Sequence, residues 1–286
     1  MPLRALFFLY VACAWSQTPA PTGRLVDVGG YRVHLNCAGV GSPTVMIVGA
    51  AYSFDWALVQ SDVAKFATVC TYDVSGTAWS DPGPKLDCRG RVNQVHELMR
   101  AAQLKAPYVL VGFSLGGCVA RLYAAEYPSE VAGMVIVDHA FLPDPNPGTA
   151  TSFAGLDSPP RLIEQTPIEV PTEDSSEFGN LPPRSQELHR WAMSLHPKLP
   201  TGEDAEDCLA ELKKAAPGPY PLGDLPLVVV STGNEAPGYA RLQTQLLALS
   251  HRSSPMKAER SFHSVEIDQP WVIVAAIRQV VRLASR

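Results

Sequence analysis

The stretch Gly112-Phe113-Ser114-Leu115-Gly116-Gly117 constrains this chain most, because it sets a serine where a strand must turn sharply into a helix. Pro107-Tyr108-Val109-Leu110-Val111 before it is a short apolar β-type run, and Cys118 to Ala125 after it has helical spacing and good helix formers. A bend this tight strains the serine backbone. Glycines two residues to either side remove the Cβ atoms that would collide there. The hydroxyl is expected to point out of the sheet, above a helix N-terminus that favours negative charge developing nearby. Gly-x-Ser-x-Gly alone arises by chance in glycine-rich chains. Here strand, turn, helix and a further strand agree around it, and it reads as a nucleophile elbow.

The flanking pattern fits one sheet. Arg24 to Val28 and Tyr31 to Ala38 read as a hairpin about Gly29-Gly30, followed by a β-branched run at Thr44 to Val48. Helix is expected at Trp56 to Phe66 and Val92 to Leu104, with strand at Thr68 to Tyr72. Val131 to Val137 is another wholly apolar strand, ending at Asp138. Apolar strands alternating with helices imply a mostly parallel sheet covered on both faces, an α/β class. The alternation stops over residues 143–221, which hold 14 of the 26 prolines. With helical pieces at Arg184 to Ser194 and Ala205 to Ala215, residues 141–222 read as a Pro-rich cap inserted over the C-terminal edge of the sheet. The pattern resumes with strand Leu225 to Val230, helix Tyr239 to Ser250 and strand Met256 to Ser261. Asp268-Gln269-Pro270 then offers an N-cap and a first-turn proline for a helix to about Ala284.

The 286 residues are enough for one large core, and a formal charge of −5 with no basic run argues against nucleic acid as a partner. Arg4, the apolar run Ala5 to Ala14 and the small residues of Ala14-Trp15-Ser16 read as a signal peptide over residues 1–16, leaving 17–286 as the working domain. The run is too short for a stable membrane span. This pattern implies a secreted or periplasmic location, where disulfides form. Cys88 and Cys208, in polar segments, are the expected bridge partners. Cys37, Cys70 and Cys118, in apolar contexts, read as buried free thiols. No Cys-x-x-Cys pair or histidine cluster suggests a metal, and no cofactor is expected.

A serine hydroxyl is a weak nucleophile at neutral pH and needs a base and an orienting acid. His263 is best placed as the base, after the last strand and before the final helix. Two residues compete for the acid. Asp138 ends the strand that follows the elbow helix, whereas Glu235 lies in the loop after the next strand. Either gives the chain order Ser, acid, His. Asp138 is preferred, because Gly233-Asn234-Glu235-Ala236-Pro237 looks like surface turn chemistry.

Leu35-Asn36-Cys37, Asp55-Trp56, Tyr72-Asp73, Trp79-Ser80-Asp81-Pro82, the elbow, the run Pro128 to Asp138 and His263 together resemble the α/β-hydrolase superfamily, and within it a bacterial group of esterase-like serine hydrolases. The match covers the sheet-forming parts on both sides of the cap. It implies the α/β-hydrolase fold, with Ser114 and His263 catalytic and Asp138 following. Two loops depart from the pattern. Val48-Gly49-Ala50-Ala51-Tyr52 replaces His-Gly or Ala-Gly-x-Gly, so the first oxyanion donor must be a backbone N–H in this loop, with Ala51 favoured over Ala50. The second would be the N–H of Leu115. Tyr72-Asp73-Val74-Ser75-Gly76-Thr77-Ala78 replaces Tyr-Asp-Arg-x-Gly-x-Gly, which alters the pocket rather than the triad.

These readings imply hydrolysis of a small-molecule acyl substrate, with esters the best class and amides or thioesters open. A dehalogenase or epoxide hydrolase would use a carboxylate nucleophile, which Ser114 argues against. The competing class is a binding protein that keeps the fold and a pocket but little or no catalysis.

Overall fold

A computed structural model describes residues 18–49, 52–139, 176–197, 202–218, 220–233 and 238–285. The expected signal peptide and the first part of the expected cap lie outside these. In chain order the elements are β1 (Arg24–Asp27), β2 (Arg32–Ala38), β3 (Thr44–Val48), α1 (Ala57–Val63), β4 (Val69–Tyr72), α2 (Cys88–Ala101), β5 (Tyr108–Phe113), α3 (Gly116–Glu126) and β6 (Val131–Val137). They continue as α4 (Ser176–Gly179), α5 (Pro183–Ser194), α6 (Gly202–Ala215), β7 (Leu227–Thr232), α7 (Tyr239–Leu247), β8 (Ser253–Ala258), α8 (Val265–Asp268) and α9 (Pro270–Ala284).

The strands form one eight-stranded sheet in the order β1-β2-β4-β3-β5-β6-β7-β8. β1 and β2 pair antiparallel, as does β2 with β4; every later pairing is parallel. The strict alternation of side chains explains why the central strands are apolar throughout. Met46, Leu110, Met134, Ile136 and Val229 pack on one face with α2, α3, α6 and α7. Val45, Ile47, Val109, Val111, Val135, Val137, Val228 and Val230 pack on the other with α1 and α9. On α9 the buried residues Ile273, Val274, Ile277, Val280 and Val281 recur at i, i+3 and i+4, which makes one apolar stripe along it.

Local signals explain most element ends, with some shifts. α2 begins a turn earlier than its apolar periodicity suggests, because the Asp87 carboxylate accepts from Gly90 N–H at its N-cap. Trp56 belongs to a 3-10 turn, Ser53–Trp56, that leads into α1. The expected Asp268 cap is corrected. Asp268 ends α8 and accepts from Ser261 Oγ at 3.1 Å, while Gln269 occupies the N-cap position of α9 with no side-chain cap bond there. The expected free thiols at Cys37 and Cys70 are corrected too. They are register partners across β2 and β4 and form a disulfide. Cys88 bridges Cys208, and Cys118 is a free, buried thiol.

The Cys88–Cys208 bridge ties α6 to α2, and Ala205, Cys208, Leu209 and Leu212 bury against the same side of the sheet as α3. Residues 202–215 therefore lie in the flanking helical layer rather than over the strand ends. α5 is placed differently, against the Ser53–Trp56 turn at the C-terminal edge. The bridge joins residues 120 apart, and removing a native disulfide typically costs about 2–5 kcal/mol. Cys208→Ala is expected to lower the unfolding free energy by about that amount in urea melts, chiefly by freeing the unfolded chain. A loss below about 0.5 kcal/mol, the usual size of an unimportant change, would mean that packing alone holds α6.

Candidate active site

The elbow has the geometry its glycines require. Ser114 sits at φ 50, in the left-handed region, between β5 and α3. Its N–H donates to Val137 O at 3.0 Å, which extends the β5–β6 ladder by one bond. A Cβ on Gly112 would lie 2.7 Å from Gly116 O and Gly117 Cα, and one on Gly116 would land on the Val48 carbonyl. The backbone can turn and still touch β3 only without these side chains. The Leu115 N–H stands at the N-terminus of α3, as an oxyanion donor should. Ala51, the other expected donor, lies outside the described residues, as does Glu235.

His263 and Asp138 meet across 125 residues of chain. His263 Nδ1 lies 2.7 Å from Asp138 Oδ2, with the imidazole side chain 50% exposed and the carboxylate 11%. The imidazole ring also lies 4.8 Å from the ring of Phe113, the residue before Ser114. A carboxylate can only accept here, so Nδ1 carries the proton and Nε2 is left as the basic nitrogen. Asp138 itself has φ 39 and donates its N–H to Val230 O at 2.9 Å, so it turns off β6 as Ser114 turns off β5. Two left-handed residues thus end adjacent strands, and such strain clusters at working sites.

Three features of the surroundings have no signature in the sequence pattern. First, His139 is fully buried beneath the elbow, with Nδ1 2.7 Å from Ser114 O. Because a carbonyl only accepts, this nitrogen is the donor. The opposite nitrogen faces Cys118 Sγ at 3.7 Å and Arg121 Nη1 at 3.5 Å. Burial pushes the Cys118 thiol up to about 12, so it stays protonated and inert. His139 follows Asp138 directly, and only the end of β6 pointing at the elbow could have flagged it.

Second, a buried trio anchors the loop after β3. His34 Nδ1 lies 2.8 Å from Asp73 Oδ2, and Ser53 N–H donates to Asp73 Oδ1 at 2.7 Å. His34 Nε2 accepts from Gly23 N–H, which puts the ring proton on Nδ1, where Ser53 Oγ stands at 3.4 Å. Ser53 is fully buried, so this second Ser-His-Asp set is out of reach of substrate.

Third, α5 is pinned at the strand ends. His189 Nδ1 lies 3.0 Å from Asp55 Oδ1, and the ring stands edge-on to Tyr52. Burial raises Asp55 above the ordinary carboxylate range, and His189 opposes that shift. Burial also holds Glu266 well above that range, helped by nearby Asp55, Asp268 and Asp138. Its neutral form is favoured. Among the described residues, no group of three or more His, Cys, Asp or Glu side chains is arranged to hold a metal ion, and no helix is long and apolar enough to cross a membrane.

Comparison with known proteins gives the same architecture. The alpha/beta hydrolase fold family matches residues 45–178. An uncharacterised protein of Bacillus subtilis (strain 168), YqjL, is 24% identical over 263 residues, covering 88% of this chain and 89% of that protein. In two further curated relatives the chain spans only 26% and 20% of their length. Among solved structures, Cfl2 from Burkholderia cenocepacia superposes with a TM-score of 0.70 at 18% identity, over 91% of this chain and 95% of that one. A thermophilic esterase from Thermogutta terrifontis does so with a TM-score of 0.62 at 19% identity, over 90% and 95%.

A methyl group at residue 117 tests how tightly His139 is held. A Cβ there would lie 2.7 Å from Cγ and Nδ1 of the imidazole, so the ring must leave the Ser114 carbonyl. Gly117→Ala is expected to lose about 1–3 kcal/mol in urea unfolding, the usual cost of overpacking a filled interior. Gly179→Ala, with nothing within 4 Å, should stay within about 0.5 kcal/mol of the parent. Equal behaviour of the two would argue against the clamp.

Proposed function

The chain belongs to the α/β-hydrolase superfamily, and on that footing we propose that it is a serine hydrolase cleaving carboxylic esters through Ser114, His263 and Asp138. The observation that carries the reading is the 2.7 Å pairing of His263 Nδ1 with Asp138 Oδ2 beside the elbow. It leaves Nε2 as the basic nitrogen of an imidazole that lies against the ring of Phe113, the residue before the strained, half-buried Ser114. The fold shared with a thermophilic esterase supports an ester substrate.

Ser114 Oγ attacks the ester carbonyl while His263 Nε2 takes its proton. The Leu115 N–H, with a second backbone donor expected at Ala51, binds the oxygen as it becomes negative. The C–O bond to the alcohol then breaks, His263 returns the proton to the leaving alcohol, and an acyl-enzyme remains. Water repeats the sequence, and its proton passes through His263 back to Ser114. Asp138 stays ionised and steadies the imidazolium at each step.

We further propose that the protein is exported with residues 1–16 removed. The two disulfides support this, since such bridges persist in oxidising compartments. The exported chain should then begin near Gln17 by mass spectrometry, and an intact Met1 on cytoplasmic protein would overturn the idea.

The reaction is tested by labelling and by turnover. A fluorophosphonate should bond to Ser114 Oγ with loss of fluoride, and Ser114→Ala should abolish both labelling and cleavage of p-nitrophenyl acetate while the protein stays folded. Asp138→Asn favours the wrong imidazole tautomer, and the same change in a serine protease triad costs about 10⁴-fold. Turnover should fall by orders of magnitude, whereas Glu235→Gln should stay within roughly tenfold. A folded wild-type protein that neither labels nor turns over would favour the binding-protein reading.

A further inference from the structure

We infer that Tyr239 is a positioning residue for the acid, donating its phenolic hydrogen to Asp138 and so fixing the carboxylate that orients His263. This rests on the triad reading above and adds a residue to it. Tyr239 opens α7, immediately after Gly238 at φ 85, and its side chain is buried. Its Oη lies 2.6 Å from Asp138 Oδ1, the carboxylate oxygen not used by His263. That length is typical of a hydroxyl donating to an ionised carboxylate.

The direction of the bond follows from its neighbours. Thr232 N–H, which can only donate, reaches Tyr239 Oη at 2.9 Å. Thr232 Oγ1 stands 3.1 Å from the same oxygen and 3.4 Å from Asp138 Oδ1. The phenol therefore accepts from the Thr232 backbone and passes its one proton to the carboxylate. The arrangement matters because the terminal torsion of an aspartate is soft. With only Oδ2 engaged, the carboxylate could swing and take the imidazole with it. With Oδ1 held as well, its plane is set by β7 and α7. Burial and the charge of Asp138 raise the Tyr239 phenol above its ordinary value, so it keeps the proton it donates.

Tyr239→Phe removes that donor and keeps the ring. For p-nitrophenyl acetate we expect kcat to fall about tenfold, in line with loss of one hydrogen bond to a charged group, with KM within twofold. Less of the carboxylate charge is then satisfied by the phenol, so more acts on His263. The imidazolium is favoured, its proton is kept to higher pH, and the acid limb of kcat/KM should move up by about half a unit. In an Asp138→Asn background the substitution should cost nothing further, because the group it acts through is gone. An unchanged kcat and pH profile, or the same tenfold loss in both backgrounds, would overturn the assignment.

A readout independent of turnover separates this inference from the reaction. The low-field proton resonance of His263 Nδ1 should shift in Tyr239→Phe, and an unmoved resonance also counts against it. Retained turnover in Asp138→Asn sinks the triad reading itself. If Tyr239→Phe does not fold, 3-fluorotyrosine at 239 keeps the side chain and makes the phenol a stronger donor. The acid limb should then move down rather than up, and no movement would refute the inference.

Discussion

Three backbone segments close on one point at the elbow, and no side chain fits between them. The end of β3, the end of β5 and the first turn of α3 meet where a Cβ on Gly112 or Gly116 would collide with carbonyl oxygens or backbone carbons. Because this contact is backbone against backbone, it cannot be relieved by a rotamer change. It sets how far Ser114 stands from the loop after β3, where an oxyanion donor is expected, and it aims the α3 N-terminus at the same spot. His139 then holds the Ser114 carbonyl from below. The position of the serine is therefore a property of the sheet, fixed before any catalytic side chain is added.

The rest of the site is distributed over neighbouring strands by register. Phe113 pairs with Val137, and Val137 with Val230, so the residues just beyond them emerge side by side along one edge. Ser114 follows β5, Asp138 follows β6, and Tyr239 and His263 lie in the segments after β7 and β8. Parallel strands make this possible, since all their C-terminal ends face the same way. Asp138 follows β6, and Thr232 at the end of β7 and Tyr239 at the start of α7 hydrogen-bond its carboxylate.

Legibility in the sequence follows the range of the interaction. The elbow, the apolar strands and most helices were readable because their causes are local: a glycine spacing, a run of β-branched residues, an apolar stripe. Ser114 and Asp138 could be named because each sits at the end of a recognisable strand, and His263 because it falls between the last strand and the final helix. What could not be read depends on pairing distant segments. Cys37 and Cys70 looked like buried thiols until register put them opposite each other on β2 and β4. Asp268 looks like a helix cap by spacing, but its carboxylate is taken by Ser261. Tyr239 and His139 lie in stretches with no motif, and their roles exist only through Asp138 and Ser114.

The approach side of the site obeys a different logic from the sheet. Tyr52, Phe54, Trp79, Leu188 and Ala192 form a small cluster of their own, apart from the two large cores. Tyr52 joins the two sides: it follows the loop after β3, stacks on Phe54, meets His189 edge-on and donates its hydroxyl to Met193 Sδ. The Asp55–His189 pair adds a polar tie between the same two pieces. Close-packed interiors transmit displacement rather than absorb it, so the seating of α5 and the positions of Tyr52 and the Ser53–Trp56 turn are physically coupled. A displacement of α5 is thereby carried to Tyr52 and Asp55 at the strand ends.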